Sequence, residues 1–178
     1  MISLNNTSIF KGILGDRIKL LGSTALHISD GTIKSLEMDL LINCNKNSIH
    51  FGCDYKVGFF ENETGDVFYD YQIEIGTFKN TSIIKSDITF NTTEIIKVEI
   101  YGRDFRSEDF ISFPDLYKKI KNETKTDDMF VLVCKNGEQL MVIFHPYFPS
   151  IEVNFNRNKI EDFWSQYGSC YKLHYTIK

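Results

Sequence analysis

The sequence predicts an α+β chain that is predominantly antiparallel β. An N-terminal β-meander, forming a sandwich or open barrel, is followed by an α-β-β-β-α-β portion. Three observations carry this expectation. Apolar and polar residues alternate over long stretches, the period of a strand with one buried face. The chain has 22 Ile and 15 Phe but a single Ala, Ala25; Ile, Phe and Tyr suit a pleated surface, whereas Ala is the best helix former. Finally, the apolar runs MFVLVCK and EQLMVIF are joined around Asn136-Gly137, a strong hairpin signal.

Taken in order, Gly12, Gly15, Gly22 and Gly31 mark turns between the first strands. Leu36, Met38, Leu40 and Ile42 alternate with polar residues, followed by Ile49, Phe51 and Cys53, then Tyr55, Val57 and Phe59. The stretch Glu61–Asp66 reads as a turn. Val67, Tyr69, Tyr71, Ile73 and Ile75 fall on one strand face, with Phe68, Asp70, Gln72 and Glu74 on the other. Further strands are predicted over 82–90 and 94–101, the latter with Ile96, Val98 and Ile100 on one side. Pro114 and Asp115 open a short helix carrying Leu116 and Ile120.

In the C-terminal portion, Asn136-Gly137 suits the positive φ angles of a type I′ turn. Neither flanking run alternates cleanly, so the hairpin is expected to be central and covered on both faces. Pro146 and Pro149 stiffen the link to a strand with Ile151, Val153 and Phe155 on one face, because proline cannot donate to a ladder and restricts the residue before it. Asn156 or Asn158 caps a helix over 157–167, with Ile160, Phe163, Trp164 and Tyr167 as its apolar stripe and Gly168 at its C-terminus. The last strand places Tyr171, Leu173, Tyr175 and Ile177 on one face. The chain reads as a single domain over 1–178, or as two lobes, a β-rich 1–101 and an α+β 102–178.

Composition narrows the function classes. Net charge is −4, and there is no basic stripe of the kind that supplies affinity for phosphate backbones, so no nucleic-acid partner is expected. No apolar run approaches a membrane span and no export signal is visible, so a cytoplasmic protein with no membrane partner is expected. Its four cysteines are then expected to be reduced core residues. Charge is uneven, with 15 acids against 9 Lys and Arg in residues 61–128. An acidic middle suits a basic partner.

Candidate chemistry is sparse. Cys44, His50 and Cys53 lack a fourth ligand at zinc spacing, and His50 alternates out of phase with Cys53, so no metal and no cofactor are expected. Neither Cys134 nor Cys170 has an electropositive setting that would activate a thiol. No P-loop, dinucleotide glycine fingerprint, Gly-x-Ser-x-Gly or His-Glu-x-x-His is present. Asp70 and Glu74, about 13 Å apart along one strand, are too distant for a shared-proton pair or one metal; no catalytic residue is assigned.

These observations favour a non-enzymatic protein-binding module over an enzyme, a toxin-neutralising (immunity-type) protein being one concrete version. Its partner would be another protein, basic in charge. The expected contact residues are Asp66, Phe68, Asp70 and Glu74 on the acidic strand, with Tyr147 and Phe148 on the stiff proline corner. The alternative is a small hydrolase with Tyr101, Arg103, Asp104 and His145 gathered near the 101–110 loop and the 145–149 corner. A barrel-like pocket for a small apolar ligand is a third reading, drawn from the many aromatics.

Overall fold

Alternation resolves into stacked antiparallel sheets in the computed structural model, which describes residues 7–35, 39–56, 68–76, 86–103, 126–145 and 150–178. One sheet holds β1 (Ile18–Ser23), β4 (Leu40–Cys44), β5 (Ser48–Lys56), β6 (Phe68–Gly76) and β7 (Ser86–Thr89), in the order β6-β5-β4-β1-β7. The other holds β2 (Leu26–Ser29), β3 (Thr32–Ser35), β8 (Ile95–Arg103), β9 (Thr126–Cys134), β10 (Gln139–His145), β11 (Ser150–Asn154) and β12 (Lys172–Ile177), ordered β12-β8-β9-β10-β11-β3-β2. Strands from both ends of the chain share this larger sheet. All pairings among the described strands are antiparallel. The chain is therefore α+β and mainly antiparallel β. No helix among the described residues is long and apolar enough to cross a membrane.

The inner faces of the two sheets form one core. Leu40, Ile42, Ile49 and Phe51 from the smaller sheet meet Ile33, Val98, Ile100, Phe130, Leu132, Val142 and Phe144 from the larger. Phe51 and Phe130 stack across the interface at 5.2 Å, with Phe144 at 5.3 Å from Phe51. A 3₁₀ stretch, Thr7–Ile13, inserts Phe10 at 5.5 Å from Phe130. Burial of such side chains contributes roughly 1.5–3 kcal/mol each, and these rings fill the space between the sheets.

On the outer side of the larger sheet, helix α1 (Arg157–Tyr167) covers β9 and β10. Ile160, Phe163 and Trp164 pack on Met129, Val131, Val133, Met141 and Ile143. The β9–β10 hairpin is thus central and covered on both faces, which explains its unbroken apolar runs. Asn156 caps the helix, its Oδ1 accepting from the backbone N–H of Asn158 at 2.9 Å.

Two buried polar knots hold the connections. At the corner where the chain passes from β1 to β2, Ser23 Oγ lies 2.7 Å from Ser35 Oγ and donates to Asp39 Oδ1 at 2.8 Å. Thr24 adds its N–H and hydroxyl to Asp39 Oδ2 at 3.1 and 2.6 Å. At the β4–β5 turn, Asp16 is 2 % exposed. Its carboxylate accepts from the backbone N–H groups of Arg17, Asn45, Lys46 and Asn47 at 2.8–3.0 Å. Burial acts to raise its pKa, and the four donors reverse that, holding the carboxyl below the ordinary range.

Several expectations need correction. The type I′ turn is at Asp30-Gly31, between β2 and β3, where both residues have positive φ (51° and 77°), and not at Asn136-Gly137. At the other hairpin only Gly137 does (86°), and Gly137 N–H donates to Cys134 O at 2.9 Å, a type I turn followed by a left-handed glycine. Cys134 N–H donates to Glu138 O at 2.8 Å, so the loop has three residues, the length that takes this turn; Asn136 Oδ1 accepts from Glu138 N–H and Thr93 Oγ1. Gly22 is no turn but lies inside β1. Gly168 is right-handed (φ −57°) and continues into a 3₁₀ turn; a Cβ there would stand 3.3 Å from Trp164, so close packing rather than a left-handed cap calls for glycine.

Register shifts account for the other differences. A shift between Ile95 and Lys97 turns Ile95 inward and leaves Ile96 49 % exposed, against the predicted Ile96–Val98–Ile100 face. A shift between Leu173 and Tyr175 splits the last strand: Tyr171 packs with the helix layer, whereas Tyr175 and Ile177 join the inner core. Phe155 ends outside β11, exposed, its ring 5.2 Å from Phe90. The predicted helix after Pro114 lies outside the described residues.

Candidate functional site: a polar groove beside the helix

Helix α1 covers the centre of the larger sheet and stops short of β11, β3 and β2. The outward positions on those strands are polar: Glu152 and Asn154, then Thr32 and Lys34, then His27 and Ser29. They alternate with Ile151, Val153 and Ile33, which face the core. The floor is a groove of about 540 Å³, walled by Lys159, Asp162, Phe163, Gln166 and Tyr167 of the helix.

The floor is held by its own hydrogen bonds. Thr32 Oγ1 donates to Asn154 Oδ1 at 2.6 Å, Asn154 Nδ2 donates to Glu152 Oε1 at 2.9 Å, and Lys34 Nζ lies 3.3 Å from Glu152 Oε2. Asn154 is 3 % exposed, so its amide needs these partners. One end of the groove is closed where the Asp30-Gly31 turn meets the helix N-terminus. Lys159 Nζ and Asp30 Oδ2 are 2.7 Å apart there, and a Cβ on Gly31 would stand 2.7 Å from Asn156 Cβ. The Lys159 ammonium, through its hydrogen bond and charge, lowers the Asp30 pKa and has its own raised in turn.

With Lys34 set against Glu152 and Lys159 against Asp30, Asp162 is the remaining acid, so the groove carries three carboxylates to two lysines. The adjacent Phe163 and Tyr167 rings are 5.4 Å apart, and Tyr167 is 51 % exposed. An acid in a groove that also presents the exposed Tyr167 ring suits a cationic side chain.

The residues expected from sequence fall elsewhere. Glu74 is exposed on β6, 4.0 Å from His50 Nδ1. Phe68 and Asp70 lie on the same strand, where the backbone register sets Asp70 opposite Asp54; Asp66, Tyr147 and Phe148 lie outside the described residues. Tyr101 is half-buried under the helix, 4.9 Å from Trp164, and donates to Glu99 Oε2 at 3.1 Å. Burial, reinforced by Glu99, pushes its pKa up to about 12. Arg103 ends β8 and His145 ends β10, so both reach the same end of the larger sheet with β9 between them; Asp104 lies outside the described residues.

Cys44 and Cys134 are buried in the inner core. Burial, then the charges of Asp16 and Cys134, push the Cys44 thiol up to about 12, and burial raises Cys134 as well. Both therefore hold their protons at neutral pH. No group of three or more His, Cys, Asp or Glu among the described residues could hold a metal ion.

Sequence reasoning missed the groove. In the sequence, Glu152 and Asn154 are only the polar positions between Ile151, Val153 and Phe155, and His27 carries no motif. Their meaning depends on β3 pairing with β11, more than a hundred residues along the chain. Comparison with protein-family models, curated proteins and solved structures finds no match to this chain.

Proposed function

We propose that the chain is a non-enzymatic, cytoplasmic protein-binding module for a basic partner protein, a toxin-neutralising (immunity-type) protein being the concrete version. The groove beside α1 carries this reading: a hydrogen-bonded polar floor, a net excess of one carboxylate and the exposed Tyr167 ring, a combination suited to seating arginine or lysine. The acidic β6 strand supplies a second surface of the same sign. The experiment is capture with the tagged full chain, comparing wild type with Asp162→Lys and with the triple reversal Asp66→Lys, Asp70→Lys, Glu74→Lys. A stoichiometric basic protein, lost with either reversal, is expected. A lone monomer, or a partner indifferent to both, would overturn the reading.

One observation favours the hydrolase alternative. Arg103 and His145 sit at the same sheet end, with one strand between them, about 10 Å apart by strand spacing. Under that reading, His145→Ala and Arg103→Ala each abolish turnover of generic ester or phosphoester substrates by the wild-type chain; no turnover by wild type removes it.

A further inference from the structure

We propose that β2 and the groove together receive an extended basic segment of the partner by strand addition: the segment pairs with β2, and one of its arginine or lysine side chains lies along the groove floor to Asp162. This rests on the basic-partner reading above and supplies its site and mode.

Sheet edges invite pairing, and proteins blunt them with charge, proline or bulges. Among the described edge strands, β12 carries a register shift and begins at Lys172, β6 carries Asp70 and Glu74, and β7 carries Asp87. The remaining edge, β2, is Leu-His-Ile-Ser, with no formal charge, no proline and an unbroken register from Leu26↔Ser35 to Ser29↔Thr32. Its Ile28 is 56 % exposed.

The backbone of β2 offers Ile28 for pairing. A two-residue turn at Asp30-Gly31 makes Ser29 and Thr32 the bonded pair that closes it. Bonded and non-bonded pairs alternate in an antiparallel ladder, so Ile28, opposite Ile33, belongs to a non-bonded pair. Its N–H and C=O face the open edge. An added strand would meet Ile28 on one face and His27 and Ser29 on the other, the face that continues into the groove.

The occupant's charge follows from the groove. Lys34 and Lys159 are each paired with a carboxylate, and Asp162, whose charge also acts on Lys159, gives the groove its excess of one acid on the wall that carries Phe163 and Tyr167. Asp162 is on the helix wall of the groove whose floor includes His27 and Ser29 of β2. Arginine and lysine are the long cationic side chains, and both a carboxylate and an aromatic face attract their charge.

The test is amide NMR and hydrogen exchange on the isotope-labelled full chain, titrated with two capped ten-residue peptides, one alternating threonine with arginine and one alternating threonine with glutamate. The expected result is slowed exchange at Ile28, shifts at Asp162 and Tyr167 with the arginine peptide alone, and affinity reduced about tenfold in Asp162→Asn. Ile28→Pro removes an N–H that the hairpin does not use and should abolish binding with the melting temperature nearly unchanged. Should that variant misfold, Ile28→Lys, an edge charge, serves instead. If arginine-peptide shifts gather at Glu74 on β6, this site is overturned while the basic-partner reading survives. Equal binding of the glutamate peptide at β2, or no shift with either peptide at millimolar concentration, overturns the site, and the second result counts against a basic partner too.

Discussion

The outer face of the larger sheet changes character between β10 and β11. On one side, Met141 and Ile143 are buried beneath helix α1; directly across the strand pair, Met141 faces Asn154 and Ile143 faces Glu152. A single sheet thus carries an apolar half that a helix must cover and a polar half that needs no cover. Hydrophobic burial is non-directional and pays for the first half. The second is organised by directional bonds among Thr32, Asn154, Glu152 and Lys34. The covered half builds the fold, and the open half is the surface on which the proposed partner would sit.

The widest gap between the halves should appear on truncation. Met141→Ala, at a position with 0 % exposure, should destabilise by about 2–5 kcal/mol in urea titration, through lost transfer energy and the cavity left behind. A loss below about 1 kcal/mol would mean that the helix layer is loosely packed and the contrast between halves is wrong.

Polar groups test the same contrast. Asp16, buried and serving four backbone donors, should lose roughly 2–3 kcal/mol on change to Ala. Its folded pKa lies below the unfolded value, so its stabilisation is complete above the ordinary carboxylate pKa of about 4 and is lost as pH falls through the lowered folded value. Urea midpoints taken from neutral to acid pH should fall more steeply for wild type than for Asp16→Asn. Parallel curves would show that the turn does not depend on the ionised carboxylate.

The two hairpin turns sharpen it further, since one belongs to the open half and the other to the covered centre. Gly31 and Gly137 both have positive φ, which disfavours any side chain by about 1–2 kcal/mol. Only at Gly31 would a Cβ also meet Asn156, at 2.7 Å; at Gly137 nothing lies within 4 Å. Gly31→Ala should therefore lower the melting temperature more than Gly137→Ala, and it should disturb the groove end where Lys159 meets Asp30.

Much of this architecture is legible in the sequence, and what is not has identifiable causes. Alternation marks β4, β5, β6 and β11, and the 157–167 helix is legible with Asn156 or Asn158 as its cap, of which the structure uses Asn156, because period and capping are local properties. Turn type follows loop length: Cys134 pairs with Glu138 around three residues, a register that the Asn136-Gly137 pair alone does not announce. Register shifts move Ile96 outward and split Tyr171 from Tyr175, because one extra residue reverses every face beyond it. The groove needs the pairing of β3 with β11 and the docking of the Asp30-Gly31 turn on Asn156, both tertiary facts. Asp66, Asp70 and Glu74 stand out by charge along one segment, and Tyr147 and Phe148 by their proline corner, whereas a site assembled across four elements has no such signature.

The smallest expected effect is also the most discriminating. Lys34 makes a well-formed ion pair with Glu152 at 3.3 Å, yet its side chain is 48 % exposed. Water screens the attraction, and holding a long side chain in place opposes it, so Lys34→Ala should change stability by no more than about 0.5 kcal/mol. Glu152 would still accept from Asn154, leaving the floor in place. A near-zero change beside a large loss for Met141→Ala would show that the open half can be altered without unfolding the chain, as a binding surface requires. A loss above about 1 kcal/mol that weakens with added salt would instead make the pair part of the fold's own stability, and the groove's charges would then have a sufficient explanation without a partner.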